Sequence, residues 1–104
     1  MSDNAAIKLE FAPAFDRWLL GLRDQRAAAR IATRLERLSQ GHWGDVKPVG
    51  EGVGELRIAY GPGYRLYALK RNKAWVILLA GGDKSSQNRD ILEAKRLAKE
   101  YGNG

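Results

Sequence analysis

Cysteine is missing from this 104-residue chain, and histidine occurs once. The first absence excludes disulfides, thiolate catalysis and Cys-ligated zinc, and it suits a reducing cytosol. The second excludes a pair of imidazoles working as acid and base. His42 stands alone, and the spacings of histidine metal sites do not occur, so neither a metal nor a cofactor is expected. Long hydrophobic runs are also lacking. The longest, Ala74 to Ala80, falls far short of the ~20 residues of a membrane helix, and the opening MSDNAAIKLEF has no basic segment leading into an apolar one. The expected location is cytoplasmic, without a membrane partner. Glycine-rich nucleotide motifs are absent as well: the glycines at 50–54 precede a strand rather than a helix. Acidic residues are few, 12 against 18 Lys and Arg, which gives a formal charge of +6 and a pI near 9.9. That balance favours nucleic acid or another polyanion as partner.

What is present reads as one folded domain spanning 1–104. Hydrophobic residues make up 44% of the chain and charged residues 29%, ordinary for a globular protein and too apolar for disorder. Ile7, Leu9 and Phe11 alternate with Lys8 and Glu10, predicting a strand over ~6–11. Pro13 suits a helix start, and Phe15, Trp18, Leu19 and Leu22 recur at helical spacing, predicting a helix over ~13–22. A longer helix follows, with Asp24 as N-cap and Gly41 as stop. Ala28, Ile31, Leu35 and Leu38 form its apolar stripe, while Arg26, Arg30, Arg34 and Arg37 line another face. That ridge is either a solvated helix face or a line of cations for phosphates or a protein partner.

Residues 40–54 predict a loop around a short strand near Val46 to Val49. Beyond it, Leu56, Ile58 and Tyr60 form the apolar face of a strand whose opposite face carries Glu55, Arg57 and Ala59. Gly61-Pro62-Gly63 turns the chain into an antiparallel mate, Tyr64 to Lys70. Arg71-Asn72-Lys73 leads to Trp75 through Ala80, a strand apolar enough to be covered on both sides. A last helix is predicted over about Ser86 to Tyr101, packed through Ile91, Ala94, Ala98 and Tyr101, with Ser85 and Ser86 as its caps.

The residues left to carry chemistry are cations. Arg57 and Arg65 lie on adjoining strands, Lys84 follows the third, and Lys47 precedes the first. Cleavage of RNA by its own 2′-hydroxyl needs in-line positioning, neutralisation of charge on the phosphorane oxygens, and proton transfer at two oxygens. Arginine meets the first two needs, since its planar fork binds phosphate in a bidentate manner at any physiological pH. A lysine among arginines can serve in proton transfer. The plainer reading pairs the same arginines with Glu55 or Asp83 on a solvated sheet face.

The order strand, two helices and a sheet bearing ELRI, GPGYRLY and GGDKSSQ resembles the RelE/ParE toxin superfamily, and within it the HigB-like addiction module killer branch. The resemblance runs from Phe15-Asp16-Arg17-Trp18-Leu19 through Arg30-Ile31 and Gly44-Asp45-Val46-Lys47 to the final helix. Gly63-Tyr64-Arg65 and Gly81-Gly82-Asp83-Lys84-Ser85 are its most specific pieces. It implies an α+β RelE-like fold: a curved, mainly antiparallel sheet with an N-terminal helix hairpin and a C-terminal helix. It also implies the toxin of a type II toxin–antitoxin pair, a metal-independent endoribonuclease that cleaves translated mRNA on the ribosome, with a helix-turn-helix antitoxin as cognate partner. Arg65 then matches the arginine that stabilises the scissile phosphate, with Arg57 and Lys84 beside it as catalytic candidates. Lys47, Tyr64, Gln87, Arg30 and Arg34 become candidates for RNA binding. Where ribonuclease members carry a tyrosine or histidine beyond the last strand, this chain has Gln87, Asn88, Arg89, Asp90 and Ile91. The general base therefore falls to Lys84 first and Lys47 second. Two other readings stay open: a ParE-like toxin that blocks DNA gyrase without cutting nucleic acid, and a basic module that only binds RNA.

Overall fold

A computed structural model describes residues 6–102. The elements follow in the order β1 (Lys8–Phe11), α1 (Pro13–Leu20), α2 (Gln25–Ser39), β2 (Val46–Gly50), β3 (Val53–Ile58), β4 (Tyr64–Asn72), β5 (Trp75–Asp83) and α3 (Gln87–Gly102), with one 3₁₀ turn, Lys84–Ser86, ahead of α3. The strands form an open sheet in the order β1-β5-β4-β3-β2. Only the β1–β5 pairing is parallel, and hairpins join β2 through β5 in succession. The architecture is α+β with a mostly antiparallel sheet.

Both faces of the sheet are covered. Phe15 of α1 and Ile31, Leu35 and Leu38 of α2 pack on Leu56, Leu66, Val76 and Leu78. On the other face Ala94 and Ala98 of α3 pack on Val53, Tyr67, Leu69, Ile77 and Leu79, with Ile91 and Tyr101 at the margin. The central position of β5, between β1 and β4, accounts for its unbroken apolar run.

Local chemistry sets the helix ends. The Asp24 carboxylate accepts from the N–H groups of Arg26 and Ala27 at 3.0 and 3.1 Å, and Gly41 leaves α2 with φ +91°. Several boundaries differ from the sequence reading. The first helix stops at Leu20, because Gly21 closes its last turn with an N–H to Arg17 and Trp18 carbonyls. The strand read as Trp75 to Ala80 continues to Asp83, carrying the glycine pair into the sheet. There a Cβ at Gly81 would overlap the Trp18 ring, and one at Gly82 would overlap the Asp90 carboxylate on the opposite face. The two glycines therefore admit α1 on one side and α3 on the other. Asp83, rather than the serines, caps the turn that follows: its carboxylate accepts from the Ser85 N–H at 2.8 Å, and Ser86 donates to Asp90.

Candidate functional site

Strand alternation sorts the residues of β3 and β4. Leu56, Ile58, Leu66 and Ala68 face α1 and α2, so Glu55, Arg57, Arg65 and Tyr67 face the side that α3 partly covers. The register sets Arg57 directly opposite Arg65 and Glu55 opposite Tyr67, and it sets Lys47 opposite Glu55 on the outer strand. Arg65 is in turn opposite Gly82, where α3 begins to rise from the sheet. Four of the expected residues thus gather on one side: Lys47, Arg57 and Arg65 on neighbouring strands and Lys84 at the start of the 3₁₀ turn.

Beneath them lies a buried carboxylate. Glu55, which the plainer of the two sequence readings sets on a solvated sheet face, is 1% exposed, because α3 covers the sheet on that side too. One of its oxygens, Oε2, accepts from the Tyr67 hydroxyl at 3.0 Å and from the Gln87 side-chain amide at 2.9 Å, and stands 3.8 Å from Arg65 Nε. Burial, then the Glu55 charge, push the Tyr67 phenol well above its ordinary value. Gln87, expected to meet RNA, thus holds the carboxylate from the first turn of α3.

Arg65 is 14% exposed at its side chain, and its Nη1 donates to the Gly63 carbonyl at 2.9 Å. Its Nε is buried with no hydrogen-bond partner. Gly63 turns with φ +81°, and a Cβ there would stand 3.3 Å from Arg65 Nη1 and 3.9 Å from Lys84 Cβ. Arg65 and Lys84 therefore flank the same turn. Arg57 is more open, 46% exposed, and its Nη2 donates to Asp45 at 2.9 Å. That hydrogen bond holds the Asp45 carboxyl below its ordinary value and the Arg57 guanidinium above. Lys47 and Lys84 are exposed, and among the described residues neither is in a salt bridge.

The other expected RNA contacts lie elsewhere. Tyr64 points to the opposite face of the sheet, 8% exposed and 6.3 Å from Trp18 between ring centroids, which leaves no ring face for a base. Arg34 turns inward from α2 and donates to the carbonyls of Arg57, Trp43 and Asp45 at 2.6, 3.0 and 2.7 Å. Burial lowers its pKa, the Asp45 charge opposing. Arg34 is thus a latch that fixes the loop before β2 against the end of β3. Arg30 remains exposed, its guanidinium 4.6 Å above the Tyr60 ring.

Two signals for the buried carboxylate were available. In ELR the acid stands two residues before an arginine and so shares its face, and in YRLYALK the residues after Arg65 on that face, Tyr67 and Leu69, are apolar. A face that is apolar beyond its arginine is covered, and Glu55 lies under the cover. Among the described residues, no three of His, Asp or Glu converge closely enough to hold a metal ion, and no helix is long and apolar enough to cross a membrane.

No protein-family model matches the chain. An uncharacterized protein of Haemophilus influenzae is 49% identical over 96 residues, which span 92% of this chain and 97% of that protein.

Proposed function

We propose a function for a chain that belongs to the same family as the Haemophilus influenzae protein: it is the toxin of a type II toxin–antitoxin pair, with a RelE-like fold, and acts as a metal-independent endoribonuclease that cuts translated mRNA at the ribosome. One observation carries the reading. Arg57 and Arg65 oppose each other on adjacent strands, although like charges in that position destabilise a sheet. Arg65 also keeps a buried, unsatisfied Nε over a buried carboxylate. Two cations held side by side over a buried carboxylate fit a site built for an anion.

In the step we propose, the ribose 2′-oxygen attacks the adjacent phosphorus and the bond from phosphorus to the 5′-oxygen breaks. The products are a 2′,3′-cyclic phosphate and a 5′-hydroxyl. Arg65 and Arg57 bind the non-bridging oxygens, where charge grows as the fifth bond forms. Lys84, across the Gly63 turn from Arg65, takes part in proton transfer, with Lys47 the next choice. Glu55 touches no substrate in this scheme. It aims Arg65 from below, and Tyr67 and Gln87 aim Glu55. The cognate antitoxin, a helix-turn-helix protein, covers this cationic face and silences it.

A second reading, RNA binding without cleavage, is favoured by Tyr67: its hydroxyl is committed to Glu55 rather than free for proton transfer. A cell-free translation reaction with a defined message separates the two. The ribonuclease reading expects new cuts ending in a cyclic phosphate and a 5′-hydroxyl, slowed about 10²- to 10³-fold by Arg65→Ala. An intact message under blocked translation supports binding alone. An intact message with inhibited DNA gyrase would move the chain to the ParE-like class.

A further inference from the structure

The arginine ridge of α2 is a second charged surface on the molecule, on the opposite side of the sheet from Arg65. Arg26, Arg30 and Arg37 project from one face of the helix into an open groove closed on its far side by Ile58 and Ala59 at the end of β3. They span about 16 Å of helix at 1.5 Å per residue. Among the described residues none of the three has a carboxylate within salt-bridge distance, and no acidic residue lines the groove. A helix face kept in solution by charge alone would gain from interspersed acids. This one has arginines without neutralisation.

Two more features shape the groove for a ligand. Arg30, exposed, holds its guanidinium 4.6 Å over the Tyr60 ring, a cation–π contact that restrains it at the groove. Arg34 lines the floor and ties the groove wall to three carbonyls through its Nη1 and Nη2. Ala29, Ile58 and Ala59 add an apolar patch beside the cations. What suits the groove to a phosphate backbone is its row of planar cations, unpaired among the described residues, which bind charge without an apolar core.

We infer that the groove between α2 and the end of β3 is a backbone-binding site for an RNA strand, held by Arg26, Arg30 and Arg37. The inference deepens the ribonuclease reading and rests on it for the identity of the polyanion. Arg34 bonds the Arg57 carbonyl, so the groove wall and the proposed cutting row are anchored on the same residue of β3.

The probe is a fluorescent RNA oligonucleotide with 2′-O-methyl riboses, which cannot be cut by its own 2′-oxygen, titrated with the full chain at several salt concentrations. Wild type, Arg96→Gln and the triple variant Arg26→Gln/Arg30→Gln/Arg37→Gln are compared, each checked by thermal unfolding. Single-stranded binding loses about 0.7 of log–log salt slope per phosphate contact removed. The triple variant is expected to lower the slope by about 2 and the affinity at least tenfold, with Arg96→Gln, whose arginine is paired to Glu93 and Glu100 on α3, changing it far less. Unchanged affinity and slope in a folded triple variant would overturn the site. So would polyglutamate binding that needs the same arginines while RNA binding does not, which would assign the groove to an acidic protein. Because the probe resists cleavage, the result stands apart from whether the chain is a nuclease.

Discussion

Arg65 gathers the constraints of this molecule into one side chain: a like-charged neighbour across the ladder, a carboxylate below and a glycine turn in front. Replacing it with lysine keeps the charge and loses the fork, so Arg65→Lys should fold normally and still cut message at least tenfold more slowly, read by primer extension. Glu55 makes a different prediction, because it acts through Arg65. Glu55→Gln removes the counter-charge from a buried arginine, and chemical denaturation should show a loss of about 2 kcal/mol. Cleavage by the folded fraction should fall through kcat, with Gln87→Glu giving no rescue. The hydroxyl that Tyr67 donates to Glu55 adds a pH dependence. Its folded pKa is raised by burial and the Glu55 charge, so its contribution is fully present below the ordinary tyrosine value of 10.0 and is lost as pH rises beyond it. Tyr67→Phe should flatten the alkaline fall in melting temperature, and an unchanged fall would contradict the assignment.

Two devices bind one element to the next. Arg34 ties the loop before β2 to β3 through three carbonyls. Arg34→Ala should therefore destabilise the chain by about 2 kcal/mol in denaturant unfolding, whereas Arg30→Ala, which loses only a stack over Tyr60, should change it by under about 1 kcal/mol. Gly81 and Gly82 let α1 and α3 approach β5 from opposite faces, so Gly82→Ala must displace Asp90 and should lower the melting temperature. The elements themselves were legible in the sequence. Helical spacing, the Asp24 cap and the Gly61-Pro62-Gly63 turn each act within a few residues, and a hairpin closed at that turn sets Arg57 and Arg65 on adjoining strands. Glu55, Tyr64 and Arg34 were not legible in the same way. Alternation tells which residues share a face, and the apolar Tyr67 and Leu69 beyond Arg65 mark that face as covered, but only the packing of α3 sets how deep Glu55 lies. Arg34 belonged by spacing to the ridge, and its carbonyl partners come from a loop and a strand end that no helical period describes.

Across the whole molecule, positive charge is divided between two surfaces of one sheet, and a few depressed carboxylates hold its ends. Asp45 is lowered by its bond from Arg57, Asp83 by Ser85, and Glu93 by Arg96. A carboxylate depressed in the folded state stabilises above its unfolded pKa and loses that contribution as pH falls through the folded one. Thermal stability should therefore hold through neutral pH and fall below about pH 4, with Asp45→Asn removing part of that acid dependence. The division of charge also bears on function, since a toxin must hold its message and cut it at one place. The most direct measurement maps transcript 5′ ends in cells after brief induction of the wild-type chain and, in parallel, of Arg65→Ala. The expected result is a set of new cuts within translated messages that vanish with the variant. Growth arrest with every transcript intact would contradict the ribonuclease assignment.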